Sequence, residues 1–179
     1  MKRFTDAGRQ ALRDKNFYAA LSSALIIPDV CGSLENPGAG KSKERYESWC
    51  KQWFESKYTT ATLGIDGKPF SWVTAQQVYQ LRCSLIHSGS DEIDPTKRTG
   101  IDRFYFFDTD GMQRFENCIF NGVQENLIRL SAVDFCGKLF AAADEWDAAV
   151  ANDPKIQAEK SRLLFIYSKG AVIHGITFG

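Results

Sequence analysis

The 179 residues contain only two histidines, His87 and His174, so imidazole chemistry near neutral pH must come from one of them. His87 stands five residues after Arg82 in the run Leu81-Arg82-Cys83-Ser84-Leu85-Ile86-His87-Ser88-Gly89. An imidazole exchanges a proton near neutrality. A guanidinium grips phosphate oxygens in a bidentate fork without giving up its charge. The pair therefore has the residue types needed to move a proton and to offset negative charge developing on a phosphate. On an ideal helix the two positions lie about 140° apart and about 7.5 Å along the axis, so they do not share a face. They meet only through side-chain length, or at a cleft against a second copy of the helix. The plainer reading is a surface arginine together with a histidine that complements the carbonyls and dipole of a helix C-terminus.

Ser84 and Ser88 are candidate substrate-binding hydroxyls at the same helix end, and equally readable as solvated side chains. His174 lies among apolar residues in Gly170-Ala171-Val172-Ile173-His174-Gly175 and reads as buried and hydrogen-bonded. Pro37-Gly38-Ala39-Gly40-Lys41-Ser42 has part of the form of a phosphate-binding loop. The full pattern requires glycine where Glu35 stands, and an acidic side chain there repels phosphate, so a loop that starts a helix is the better account. Lys41, Lys43 and Arg45 read as a solvated basic face. The five cysteines, Cys31, Cys50, Cys83, Cys118 and Cys136, are widely spaced and form no CxxC pair. They read as buried or spare thiols in a reducing compartment, and no residue pattern implies a metal or another cofactor.

The 22 basic and 22 acidic residues balance, which argues against a protein that coats nucleic acid through its overall field, though not against a local basic site. The fractions of 44% hydrophobic and 25% charged residues exclude a disordered chain. The 13% aromatic content points to a filled core or an aromatic interface. The longest uncharged apolar stretch, about 18–28, is shorter than the ~20 residues of a membrane span, and the first residues lack a signal-peptide pattern. The expectation is a cytoplasmic chain with no membrane contact, folded as a single domain over residues 1–179.

The elements that must position these residues follow from periodicity. The spacing of Phe17, Tyr18, Leu21, Leu25 and Ile26 predicts a first helix over 14–27, ended by Pro28, with a loop over 29–40. Ser42 is expected to cap a second helix reaching about Tyr58, with Tyr46, Trp49, Cys50, Trp53 and Phe54 as its apolar stripe. After a turn at Asp66-Gly67-Lys68-Pro69, Thr74-Ala75-Gln76-Gln77 has capping-box form for a third helix over 75–87. Val78, Leu81, Leu85 and Ile86 are placed on its inner face, and Ser88-Gly89-Ser90 stops it. Residues 104–107, 116–120 and 126–130 read as short strands, with a turn at Thr109-Asp110-Gly111. Ser131 caps a fourth helix to about Val150, and Pro154 opens another. Residues 165–179 are left open between a hairpin and an extended tail. The fold class is mainly α, with a small β insertion between the third and fourth helices.

Arg82-x4-His87, written in Leu81-Arg82-Cys83-Ser84-Leu85-Ile86-His87-Ser88-Gly89, resembles the HEPN superfamily (higher eukaryotes and prokaryotes nucleotide-binding domains). Its signature is an arginine, four to six residues, then a histidine, commonly close to LRNSLxHG. The run Ile27-Pro28-Asp29-Val30-Cys31-Gly32-Ser33-Leu34-Glu35 and the later Tyr46-x2-Trp49-Cys50 are similar to small bacterial proteins of that type. The resemblance covers about residues 14–150 and implies a HEPN-like helical bundle. It implies a metal-independent endoribonuclease, a toxin, defence effector or RNA-processing enzyme, with a composite site across a homodimer and RNA or nucleotide as ligand. An antitoxin protein is then a further partner. On that reading His87 is the acid/base for attack of the RNA 2′-OH on the adjacent phosphate, and Arg82 holds the phosphate. Cys83 stands where the family usually has a polar residue, often asparagine, and a thiol is a weak hydrogen-bond donor. That departure favours the alternative, a non-catalytic HEPN-like module that binds nucleotide, RNA or protein. Gly89 stands where one toxin–antitoxin branch carries an adenylylated tyrosine, so that route of regulation is not expected.

Overall fold

A computed structural model describes residues 1–38, 40–60, 69–108, 118–121 and 125–177. Its first element, α1 (Lys2–Arg13), is a helix that periodicity alone did not place, and it packs on α2 (Phe17–Glu35) and α5 (Ala132–Ala149). The expected third and fourth helices are thus α4 (Ala75–Ser88) and α5. Between α2 and α4 lie α3 (Ser42–Trp53), a 3-10 turn at Glu55–Tyr58 and a two-residue antiparallel pair, β1 (Thr59–Thr60) with β2 (Phe70–Ser71). The fold is mainly α.

The largest correction is at Pro28. The expected helix end and the loop over 29–40 do not form, because α2 runs through the proline to Glu35. A proline inside a helix removes one backbone bond and crowds the preceding turn, at about 3 kcal/mol. Here Leu21, Ala24, Leu25, Ile27, Pro28, Cys31, Gly32 and Leu34 are all buried, so the apolar face continues past the proline. Past the proline Cys31 and Leu34 are buried, Leu34 alone contributing about 1.5–3 kcal/mol, and this packing offsets the penalty. By length and composition α2 could cross a membrane, but half of it is buried within the protein and it carries Asp29.

Smaller corrections concern α3 and α4. Lys41, not Ser42, is the N-cap of α3, and it makes no side-chain capping bond. Ile86 is exposed rather than turned inward, while Val78 and Leu81 are buried and Leu85 packs against the core. The capping box forms as expected: Thr74 Oγ1 accepts from the Gln77 amide at 3.3 Å, and Gln77 Oε1 accepts from the Thr74 amide at 2.9 Å. Gly89 closes α4 at φ 63°, a left-handed conformation that glycine adopts without a Cβ clash.

Three strands follow α4: β3 (Arg103–Phe107), β4 (Cys118–Asn121) and β5 (Asn126–Ser131). Their order is β3-β5-β4, with β5 parallel to β3 and antiparallel to β4. Phe104 pairs with Ile128 and Phe106 with Leu130, which sets the apolar side of the sheet against α5. There Phe106 and Phe54 meet Phe135 edge-on, at centroid distances of 5.4 and 5.5 Å. Much of the aromatic content is thus spent in the core, with Trp49, Trp146, Tyr46 and Tyr58 also fully buried. The turn expected at Thr109-Asp110-Gly111, most of Asp66-Gly67-Lys68-Pro69, and residues 116–117 of the expected middle strand lie outside the described residues.

Ser131 accepts from the Asp134 amide and caps α5, and Pro154 opens α6 (Pro154–Lys160). The open question at the C-terminus resolves as a hairpin, β6 (Val172–Ile173) with β7 (Ile176–Thr177). His174 and Gly175 form its turn at φ 51° and 81°, the positive pair that a tight two-residue hairpin turn requires. His174 is exposed there, which corrects its expected burial: the apolar neighbours belong to a surface hairpin.

Candidate functional site

The last two turns of α4 carry Arg82, Cys83, Ser84, His87 and Ser88. Arg82 Nη1 lies 2.9 Å from His87 Nε2, so the two side chains meet within one chain. The separation about the helix axis is real, and the length of the guanidinium arm bridges it. A guanidinium has no acceptor and keeps its proton, so Nη1 is the donor and Nε2 the acceptor. In this arrangement His87 is the neutral tautomer with its proton on Nδ1.

The residue that sequence reasoning missed is Asp29. Arg82 Nε donates to Asp29 Oδ2 at 2.8 Å, and both side chains are about four-fifths buried, at 21% and 22% exposure. Burial works against the charge on Arg82. The Asp29 carboxylate, by charge and by hydrogen bond, outweighs it with help from Cys83, and the guanidinium pKa is raised. The arginine is thus held from behind, on Nε, while its outer nitrogen Nη1 reaches His87. Reading Pro28 as a stop put Asp29 in a loop. The signal that would have found it is the apolar spacing Leu21, Leu25, Pro28, Gly32, which persists across the proline.

Cys83, Ser84, His87 and Ser88 line a small hollow of about 180 Å³ with Tyr79 and Lys97. Burial, then a hydrogen bond with Cys83, raises the Tyr79 pKa. Lys97 is tied to Asp94 at 3.3 Å, and Gln80 anchors this loop to α4 by donating to the Lys97 carbonyl and accepting from Thr99 Oγ1. Ser88 also borders a second, larger cleft on the other side of the helix end. The two candidate serines therefore line the same hollow as the imidazole.

The other motifs are engaged elsewhere. Glu35 accepts from the Trp146 indole at 2.6 Å, which binds the would-be phosphate loop into the core at its acidic position. Cys31, Cys50 and Cys136 are buried, and burial pushes each of these thiols up. Among the described residues no cluster of three His, Cys, Asp or Glu side chains is placed to hold a metal ion. Comparison of the chain with protein-family models, with curated proteins and with solved structures finds no match.

Proposed function

We propose that the protein is a metal-independent endoribonuclease of HEPN type, with a HEPN-like helical bundle. The observation that carries this reading is the Asp29–Arg82–His87 chain of contacts at the end of α4. It joins a fixed cation able to hold a phosphate to an imidazole able to take a proton. When a phosphate enters, the guanidinium stays paired with Asp29 through Nε, and its outer N–H groups exchange His87 for the phosphate oxygens. That releases His87 Nε2, which takes the proton from the RNA 2′-OH as its oxygen attacks phosphorus. Arg82 offsets the charge gathering on the phosphate oxygens. The 5′-oxygen leaves and collects a proton, giving a 2′,3′-cyclic phosphate and a 5′-hydroxyl. One chain offers a single imidazole here, so a homodimer that brings two hollows together supplies base and acid separately. The setting is a cytoplasmic toxin or defence effector whose partners are RNA and an antitoxin protein.

Incubation of the purified protein with RNA in EDTA is the direct test. Cleavage with 2′,3′-cyclic phosphate ends is expected, and His87→Ala should lower the rate by about 10²–10⁴-fold. Arg82→Ala should be comparably severe. His87→Ala, at an exposed position, should melt within a few degrees of the wild type, whereas Arg82→Ala leaves the Asp29 carboxylate largely buried without its partner and should melt lower. Equal activity in wild type and His87→Ala overturns the assignment. A second reading draws on two observations: Cys83 stands beside Arg82, and His87 Nε2 is occupied by the guanidinium. It is a non-catalytic module that binds nucleotide, RNA or protein, and RNA binding without cleavage would select it.

A further inference from the structure

The larger cleft beside α4, of about 810 Å³, lies between the first turn of α2, the end of α4 and β3. Resting on the RNA reading above, we propose that it holds one unpaired nucleobase of the substrate, guanine by preference, next to the phosphate site.

Three observations carry this. First, the walls are aromatic: Tyr18, Tyr105 and Phe107 line the cleft, and Tyr18 is 84% exposed on the first turn of α2. A ring left so open gives the fold almost no burial, whereas a flat ring beside a cleft offers a stacking face to any base. Phe107 is fixed by the Arg129 guanidinium, 4.7 Å from its ring centroid. Second, the charge in the cleft has the wrong sign for a phosphate and the right one for a base edge. Its lining contains Asp91 and Asp108 and, among the described residues, no lysine or arginine. Asp91 is paired with Arg103 at 3.3 Å, whereas Asp108 is exposed at the end of the β3 segment. A carboxylate accepts two N–H bonds side by side, and guanine presents two adjacent N–H donors on its Watson–Crick edge where uracil presents one. Third, Ser88 borders both this cleft and the hollow that contains His87. A nucleotide astride Ser88 places its base among the rings and its phosphate in the hollow beside His87, whose Nε2 is in contact with Arg82.

The experiment measures binding of fluorescein-labelled, uncleavable 2′-O-methyl RNA hexamers by anisotropy in EDTA: all-uracil, and uracil with one central guanine. The guanine hexamer is expected to bind at least about five-fold more tightly. Tyr18→Ala should weaken it about ten-fold, the loss of one stacked base, while Tyr18→Phe retains affinity. Asp108→Ala should narrow the gap between the hexamers, and Arg82→Ala should weaken both equally. The changes at Tyr18 and Asp108 are exposed and leave the core intact, and a melting curve of Arg82→Ala, which strands the largely buried Asp29, separates lost folding from lost binding. Unchanged affinity in Tyr18→Ala overturns the base site, and so does the absence of any guanine preference. If neither hexamer binds the wild type, the base site is overturned, and cleavage of ordinary RNA then decides whether the nuclease reading survives. Dissociation of a dimer on Tyr18→Ala, seen by light scattering, would show that the cleft covers a second copy and would also overturn the proposal.

Discussion

In α4 every local signal agrees with the helix: a reciprocal capping box at Thr74 and Gln77, apolar residues at helical spacing, and a left-handed Gly89 to stop it. In α2 the strongest local signal, Pro28, opposes the helix, and packing on both sides of the proline carries the backbone through. The site is built from one residue pair on the first kind of helix and one carboxylate on the second. A locally encoded helix sets the spacing of Arg82 and His87. A helix held by tertiary contacts decides which way Arg82 points. The geometry of the site therefore depends on the packing of α2 as much as on the sequence of α4.

The sharpest way to break this comparison is to remove the contact between the two helices. Asp29→Ala leaves the α4 residues in place and frees the back of the guanidinium. Misplacement of a positioned group by about 1 Å costs on the order of 10²-fold in rate. RNA cleavage by Asp29→Ala should fall by about that factor, mainly in kcat, with Asp29→Glu partly restoring it. Asp29 touches no reacting atom, so it acts as a positioning residue. A second readout is the His87 ring: without Asp29 the Arg82–His87 bond loosens, and the imidazole nitrogen NMR signals should move toward the free tautomer mixture. Signals unchanged from wild type would show that Arg82 needs no help from α2.

Gly32 tests the packing half. A Cβ on this residue would stand 2.8 Å from the Arg45 carbonyl oxygen and 3.1 Å from the carbonyl carbon, so α2 and α3 approach only because Gly32 has no side chain. The obstructing atoms are backbone and cannot swing aside. Gly32→Ala improves helix propensity by about 1 kcal/mol, yet overpacking costs about 1–3 kcal/mol, and the expected result is a net loss of stability. A lower melting temperature in calorimetry supports the packing account. A gain would mean that α2 obeys local propensity after all.

These contrasts account for what was legible in the sequence. The two ends of α4, the Ser131 cap of α5, the Pro154 start of α6 and the three strand segments are set by residues within a turn of one another, and each could be read directly. Asp29 was masked by a local stop signal, because its role depends on a backbone path through Pro28 that buried contacts make favourable and that only the apolar spacing across the proline betrays in the sequence. The Arg82–His87 contact was half legible: spacing showed that the positions diverge, and only the guanidinium rotamer, set by Asp29, shows that the side chains meet. His174 misled for the converse reason. Its apolar neighbours suggested a core, whereas Val172 and Ile176 are exposed on a hairpin whose turn takes its form from the His-Gly pair.

The smallest effect belongs to the local half. Thr74→Ala removes the hydroxyl that accepts from the Gln77 amide, and with it half of the capping box. Substitution of such a cap costs about 1 kcal/mol, and Thr74→Ser should recover most of it. The Ala75 amide keeps its bond to Glu55 Oε2 at 2.8 Å, so one orphan donor of the helix start remains satisfied and holds the loss near the low end. In urea the midpoint should fall with no change in slope, because the helix start frays without altering the surface exposed on unfolding. A loss in Thr74→Ala larger than in Gly32→Ala would reverse the ranking of the two helices. It would make the start of α4, three turns from His87, the weak point of the site.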